Sequence, residues 1–338
     1  MTILIPSYKP DESMVKTVRA LREACPDDRI LVVDDGGGKT YAPFFAEAQE
    51  AGAVVLRHDV NRGKGAALKT GFSWLVENGE TEGCVTADAD GQHLVKDIIK
   101  VAEKVRENPD ALIIGGRKFN KPGVPARSKF GNYASRFTFN LLYGQCIGDT
   151  QTGLRGVPAS RLADMAEIPG DRYEYEMNQL MRARRLDLPL VETEIETVYL
   201  DENNSVSHFN PVKDALRVYK PLLAGGIGLI WAAIVDIVLF FLLCGPLNLL
   251  AAAFIARGAA FALRTADLLI ERKGRPVPKG KLADYIINAV FFTVLAVFVG
   301  VAAERFLHLS GKWMKFLADV LIVVYICVKR AILIRKVK

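Results

Sequence analysis

Cysteine is scarce and unpatterned: the five residues, at positions 25, 84, 146, 244 and 327, have neither metal-ligand spacing nor a pairing pattern. That leaves no disulfide or cysteine-metal framework and suits a reducing, cytosolic setting. Phosphate-binding glycine loops are also missing. A Walker loop ending at Gly38, Lys39 and Thr40 needs glycine where Val33 stands, and a dinucleotide fingerprint opening at Gly63 needs one where Leu68 stands. No RNA- or DNA-binding motif accompanies the formal net charge of +6, so nucleic acid is not an expected partner. Met1 runs directly into "TILIPSY", so no signal peptide is expected ahead of the first strand.

Beyond Leu222 it is charge that becomes scarce. Apolar residues make up 50% of the 338 and the mean hydropathy is +0.17, with the surplus almost all in this last third. Leu222 to Leu243 is apolar except for Asp236, and Tyr285 to Ala303 carries no charge. Leu247 to Ile270 contains Arg257, Arg264 and Asp267, and Trp313 to Ile334 carries several charges. A bilayer crossing needs about 20 residues, so these runs predict a four-helix transmembrane domain over 222–338 and an integral membrane protein. Basic residues gather in Glu271 to Ala283 and from Lys329 onward, whereas the opposite connections hold only Arg305 and Lys312. The positive-inside rule then puts both basic segments, and with them the amino-terminal domain over 1–221, in the cytosol. At 1.5 Å per residue, Asp236 lies about 10 Å and Arg257 about 15 Å along neighbouring helices, close enough to pair. Such charges mark a substrate path or a structural ion pair.

The first 221 residues alternate short β-type runs with helical ones: "TILIP", "RILVVDD", "AVVLRH", "GCVTAD" and "ALIIGG" are the strands. Near-continuous apolar strands separated by helices predict an α/β fold with a mainly parallel sheet covered on both faces. Ligands bind beyond the carboxyl ends of such strands. Pro6 to Tyr8, Asp34 with Asp35, and Asp88 to Gln92 each follow a strand and so converge on one edge. Asp88 and Asp90 bracket Ala89, and on a regular strand both carboxylates would share a face, where they need a positive charge or water between them. An acidic solvated loop capping the next helix is the alternative for this triplet.

"TILIPSYKPDE", "VVDDGGG", "NRGKGAALKTGF", "TADADGQH", "GDTQTGLRG" and "RYEYEMN" occur in the order seen in family 2 glycosyltransferases. Residues 2–223 most resemble the polyprenol-phosphate sugar synthases related to dolichol-phosphate mannose synthase, and the membrane part resembles the GtrA-like four-helix module. The resemblance implies a GT-A, Rossmann-like nucleotide-sugar domain. It implies Asp88, Asp90 and Gln92 as ligands of a Mg²⁺ or Mn²⁺ ion that bridges the diphosphate of the donor. It also implies Asp34 and Asp35 as nucleoside-binding acids and Pro6, Ser7 and Tyr8 as a base-facing loop, although "DDGGG" makes a good turn in any protein. Asn61, Lys64 and Gly65 would stand at a helix start near the nucleotide, where amides and a lysine attract anions.

A polyprenyl phosphate acceptor must bring its charge to the site from the membrane surface. Arg117 at a strand end, with Arg127, Lys129 and Arg136 just beyond, predicts a cationic pocket there. Over 127–143, Phe130, Tyr133, Ala134, Phe137 and Leu141 share one helical face. That predicts an interfacial helix on lipid, with a core helix as the alternative; residues 211–221 form a second interfacial candidate. Asp149, Gln151, Thr152, Glu174 and Glu176 are candidates for sugar contacts or for stabilising charge at the anomeric carbon, Glu174 and Glu176 equally fitting an exposed helix face. Ser207 occupies a loop where relatives contact phosphate.

The first functional expectation is a metal-dependent, inverting transferase with a UDP-hexose or UDP-N-acetylhexosamine donor favoured over GDP-mannose, making a lipid-linked sugar for the cell envelope. The second is a transporter of lipid-linked sugars whose soluble domain binds without turnover; the retained DAD triplet favours the enzyme. A processive polysaccharide synthase should carry Q-x-x-R-W, and Trp74, Trp231 and Trp313 lack that context. Small membrane modules often pair, which leaves a homo-oligomer open.

Overall fold

The computed structural model describes residues 1–119, 126–143, 147–186, 188–196, 217, 219–220, 222–223, 227–271, 279–308 and 310–321. The chain divides into two units, Met1–Leu222 and Leu223–Lys338. In the first, seven strands form one sheet: β1 (Thr2–Ser7), β2 (Arg29–Asp34), β3 (Val54–Arg57), β4 (Gly83–Thr86), β5 (Leu112–Arg117), β6 (Arg155–Pro158) and β7 (Leu190–Ile195). Their order is β3-β2-β1-β4-β6-β5-β7. β6 runs antiparallel to both β4 and β5, and every other pairing is parallel. The five expected strands are all present; β6 and β7 are additional.

β1, β2, β4 and β5 are buried on both faces because both are covered. Ile3, Ile5 and Val32 pack with Met14, Val18 and Leu21 of α1 (Glu12–Ala24) and with Ile98 and Val101 of α4 (Val95–Glu107). On the other face Leu4, Leu31 and Val33 pack with Phe72 and Leu75 of α3 (Lys64–Glu77) and with Phe139 of α5 (Ala126–Tyr143). Alternate strand residues feed different layers, α2 (Ala42–Glu50) joining the first of them and α6 (Leu162–Ala166) and α7 (Glu174–Arg185) the second. α1 starts where the Asp11 carboxylate accepts the Ser13 amide at 2.8 Å, a side-chain cap that ends the β1 loop. β1, β2, β3 and β4 each pass within about ten residues into a helix, and the turns after them line up at one edge.

α5 occupies the expected span with an unusual distribution of side chains. Phe130, Tyr133 and Phe137 are exposed, whereas Asn132, Ser135 and Asn140 are buried beside Phe139 and Tyr143. The buried amides are satisfied: Asn132 Nδ2 donates to the Gly148 carbonyl at 2.9 Å, and Ser135 Oγ lies 2.8 Å from Thr150 Oγ1. Of the second expected interfacial segment, 211–216 lie outside the described residues, while 217, 219–220 and 222–223 are helical.

The second unit contains helices Ile227–Leu243, Leu249–Glu271 and Lys279–Leu307, with 311–321 helical as well. Among the described residues no helix is long and apolar enough to cross a membrane; of the four expected spans, 224–226 of the first and 322–334 of the last lie outside the described residues. The uncharged run 285–303 lies within Lys279–Leu307, and the side chains of 285, 288, 289 and 292 fall outside the described residues. Asp236 and Arg257 pair as expected, Nη2 to Oδ2 at 2.9 Å. The pair belongs to a larger network, with Arg257 Nη2 3.0 Å from Asp319 Oδ1 and Lys315 Nζ 2.6 Å from Asp319 Oδ2.

Gly71 brings α3 onto β1, since a Cβ there would meet Leu4 Cδ1 at 2.4 Å and Cδ2 at 2.6 Å. Gly71→Ala adds helix propensity of up to about 1 kcal/mol, while overpacking costs about 1–3 kcal/mol. The expected net result is a lower urea midpoint; an unchanged or raised midpoint would mean that α3 can lift off the sheet.

Candidate active site

The strand-end edge of the first unit encloses a cavity of about 440 Å³. Its wall takes Pro6 and Ser7 from the end of β1, Tyr8, Lys9, Pro10 and Asp11 from the loop after it, Asp35 from the end of β2, and Asn61, Gly63, Lys64 and Ala67 from the start of α3 and the loop before it. Asp88, Ala89 and Asp90 follow β4, Arg172 and Tyr173 precede α7, and Arg217 completes the wall. Two backbone features mark the β1 loop as shaped for contact. Ser7 is buried and its Oγ has no hydrogen-bond partner, and Lys9 adopts the left-handed region with φ 53°.

The two acids after β2 hold the loops. Asp35 accepts from His58 Nδ1 at 2.8 Å, Asn61 Nδ2 at 3.1 Å, the Arg62 amide at 2.9 Å and the Gly63 amide at 2.7 Å. Asp34 accepts the Gly37 amide at 2.8 Å and is not among the lining residues. Asp34 thus holds the turn after β2, and Asp35 reaches the cavity with its oxygens already engaged. Gly65 likewise lies behind the wall: a Cβ on it would meet Tyr175 Cβ at 2.6 Å, so it permits α3 to pack against the segment before α7.

Asp88 and Asp90 face the cavity together, and the positive charge their spacing demands is Lys64. Its Nζ lies 2.6 Å from Asp88 Oδ1 and 2.7 Å from Glu176 Oε1, joining β4, α3 and α7. Gly153 packs against this bridge, where a Cβ would stand 2.6 Å from Asp88 Oδ2 and 2.8 Å from Lys64 Nζ. Burial works to raise the Asp88 carboxyl, but the Lys64 ammonium overcomes it and holds the group at about 2. Asp90 is pushed up to about 6, by burial first and then by the charge of Asp88. Two carboxylates at one edge, short of compensating charge, are an all-oxygen donor set of the kind Mg²⁺ or Mn²⁺ takes when a diphosphate supplies further oxygens. Among the described residues no group of three or more His, Cys, Asp or Glu side chains is placed to hold a metal alone. Gln92, the expected third ligand, is buried and absent from the lining residues; its amide donates to Asp90 Oδ1 at 3.0 Å.

The expected acceptor residues separate. Arg117 is committed to Asp149 through a two-pronged pair, Nε to Oδ2 at 2.5 Å and Nη2 to Oδ1 at 3.1 Å, and Asp149 also accepts the Gln151 amide at 2.9 Å. Lys129 is exposed on α5, Arg136 stacks over Tyr133 with 5.7 Å to the ring centroid, and Gln151 is exposed. The side chain of Arg127 and all of Ser207 lie outside the described residues. Thr152 is buried and accepts the Leu154 amide at 3.2 Å. Glu174, expected as a sugar contact, accepts the amides of Asp171 and Arg172 at 3.1 and 3.2 Å and so holds the turn that leads into α7. Of the two acids in that motif, Glu176 alone joins the charged cluster.

Comparison with known proteins decides the family. The profile described as Glycosyl transferase family 2 matches residues 2–155. The UDP-N-acetylglucosamine–dolichyl-phosphate N-acetylglucosaminyltransferase of Methanococcus voltae is 30% identical over 217 residues, 59% of this chain and 86% of that one. The chain belongs to glycosyl transferase family 2. The undecaprenyl-phosphate mannosyltransferase of Micrococcus luteus is 31% identical to this family 2 glycosyltransferase over 205 residues, 58% of this chain and 82% of that one. The glucosyl-3-phosphoglycerate synthase of Mycobacterium tuberculosis, in complex with Mn²⁺, UDP and glucosyl-3-phosphoglycerate, is 15% identical with a TM-score of 0.47, over 67% of this chain and 77% of that one. The family match and the sequence relatives show the expected sugar-transferring enzyme.

Several residues of this glycosyltransferase's site were not singled out from sequence: Lys9, Arg172, Tyr173 and Arg217 in the wall, and Gly153, Arg155 and His93 behind it. Arg155 is fully buried and donates to the Thr152 carbonyl at 3.0 Å, the Glu176 carbonyl at 2.5 Å and Gln179 Oε1 at 2.9 Å, tying β6 to α7. His93 Nδ1 accepts the Asp88 amide at 3.0 Å, and burial lowers the imidazole to about 4, the Asp88 carboxylate opposing. Between about 4 and the ordinary 6.5, the unfolded chain binds a proton at His93 that the folded chain does not. Stability from this residue is therefore lost as pH falls through that window, by about 2 kcal/mol at pH 5. Asp90 acts in the opposite sense, its raised value favouring the folded state as pH falls through 6. The difference between wild type and His93→Gln isolates the histidine: the wild-type urea midpoint should fall more between pH 7 and 5, and parallel profiles would contradict the assignment.

Proposed function

We propose that this glycosyltransferase moves a sugar from a nucleoside diphosphate donor to a polyprenyl phosphate at the cytosolic face of a membrane, giving a lipid-linked sugar for cell-envelope glycosylation. The observation that carries the reading is the cavity that gathers Ser7, Tyr8, Lys64, Asp88 and Asp90 at one sheet edge of a family 2 chain. Relatives named for polyprenyl-phosphate transfer support the acceptor class. Those relatives are named for different sugars, so the donor panel spans UDP-hexoses, UDP-N-acetylhexosamines and GDP-mannose, with UDP donors expected first.

In this reading the β1 loop and Tyr173 receive the base and ribose, with Ser7 Oγ supplying a hydrogen bond that the protein leaves free. Asp88 and Asp90 would hold Mg²⁺ or Mn²⁺, which would neutralise charge developing on the departing diphosphate. The acceptor phosphate is already ionised near pH 7, because its second pKa is about 6, so no side-chain base is required. A phosphate oxygen forms the new bond to the anomeric carbon as the bond from that carbon to the diphosphate breaks, with inversion. Glu176 is not among the lining residues but is held by Lys64, which is, so it would lend negative charge to a cationic anomeric carbon from behind the wall.

Two surfaces support the membrane reading. The exposed Phe130, Tyr133 and Phe137 of α5 form an aromatic face above a polar buried one, suited to a lipid boundary. In the second unit Trp231, Ile287, Phe291, Phe298, Phe306 and Trp313 are more than half exposed, more outward apolar surface than a water-soluble monomer normally carries. A GtrA-like, membrane-embedded second unit, possessing its own ion-pair network and able to pair with a second copy, fits that surface.

The test is transfer of label from each donor to polyprenyl phosphate in organic extracts. Asp90→Ala should lower kcat/KM by roughly 100-fold or more, and Glu176→Gln should lower kcat with little change in donor KM. Transfer unaffected by a chelator and by Asp90→Ala would remove the metal-assisted mechanism, and donor binding without transfer would favour the transporter alternative. Phe130→Ser with Phe137→Ser should raise KM for a long-chain acceptor in vesicles several-fold while sparing a short, water-soluble one. Equal effects on both acceptors would place α5 elsewhere than at lipid.

A further inference from the structure

Lys64 holds a position that the nucleotide reading does not by itself explain. A lysine whose task is to bind diphosphate would be expected to face the cavity from the helix start, and Lys64 does line it. Yet its ammonium is seated between two carboxylates of its own chain, 2.6 Å from Asp88 and 2.7 Å from Glu176, with only about a fifth of the side chain exposed. The seat is built for it: Gly153 leaves out the Cβ that would strike both Nζ and the Asp88 oxygens, and the Arg155 guanidinium fixes the Glu176 backbone from behind. Asp88 is also one of the two carboxylates that face the cavity as an oxygen donor set.

We propose that Lys64 is the resident counter-cation of the donor site: it competes with a divalent ion for Asp88 until a diphosphate arrives to take the displaced ammonium. The inference rests on the proposed nucleotide-sugar function and adds an order of events to it. Metal alone meets a carboxylate already neutralised, so it binds weakly. Metal together with nucleoside diphosphate offers Lys64 a new anionic partner, so both bind more tightly than either alone. Part of that synergy would come from metal and diphosphate touching directly; the remainder runs through Lys64 and disappears when its charge is removed. Displacement also frees Glu176 from its bridge when the donor is in place, and so couples loading of the donor to the charge presented at the anomeric carbon.

The experiment is Mn²⁺ binding followed by electron paramagnetic resonance, with and without UDP or GDP, on wild type, Lys64→Gln and Lys64→Arg in detergent. In Lys64→Gln, Mn²⁺ alone should bind roughly tenfold tighter than in wild type, and the enhancement by nucleotide should shrink by a similar factor, a coupling of ordinary size. Lys64→Arg keeps the charge and should keep weak metal-only binding and strong enhancement, which separates the charge effect from misfolding. Metal-only binding in Lys64→Gln that is no tighter than in wild type, with nucleotide enhancement intact, would overturn the counter-cation role while leaving the nucleotide-sugar reading standing. Absence of any nucleotide-dependent Mn²⁺ binding in wild type would overturn the functional reading itself.

Discussion

Three carboxylates, Asp88, Asp90 and Glu176, converge at one poorly hydrated edge of the sheet, and one ammonium stands among them. Like charges at such distances repel by several kcal/mol in a partly buried setting unless a cation intervenes. The elements around them answer that constraint. α3 must begin close enough to β4 for Lys64 to reach Asp88, and α7 must begin close enough to α3 for the same nitrogen to reach Glu176. Both approaches depend on missing side chains: Gly63 and Gly65 let the start of α3 lie against residues 171–175, and Gly153 lets the β6 approach lie against the bridge.

A second set of interactions keeps this edge rigid without taking part in it. Asp35 gathers four donors and so locks residues 58–63, which deliver Lys64. Asp149 gathers Arg117 and the 149–151 turn, and Arg155 gathers the far side of that turn and the α7 backbone. Polar groups buried in this way are stabilising only when fully paired, and each of these is. Among the described residues the one buried hydroxyl in the wall without a partner is that of Ser7, where a ligand can complete it.

The fold was legible where physics acts locally. β1, β2 and β4 are apolar on both faces because helices cover both, and that produces the unbroken runs that mark them. β6 was hidden because its four residues, Arg155 to Pro158, include a glycine and a proline, and its place between β4 and β5 is set by tertiary pairing. β7 was hidden because "LVETEI" is an edge strand whose two glutamates are exposed. Pro6 to Tyr8, Asp34 with Asp35, and Asp88 to Gln92 could be placed on one edge from strand ends alone, but the partners of the acids could not. Lys64 meets Asp88 and Glu176 across 24 and 112 residues, and no local pattern announces such contacts. The membrane helices were read from uncharged runs, and the described residues show the helices without a span that meets the length and hydropathy of a crossing.

The central claim is that donor and metal meet at Asp88 and Asp90 with Lys64 displaced between them. Anomalous diffraction at the manganese edge from crystals grown with Mn²⁺ and UDP or GDP tests it directly. The account predicts a single strong peak contacted by Asp88, Asp90 and the diphosphate, with Lys64 Nζ turned from Glu176 toward a phosphate oxygen. A peak away from the β4 loop, or one at Asp88 with the Lys64 bridge to Glu176 undisturbed, would contradict it.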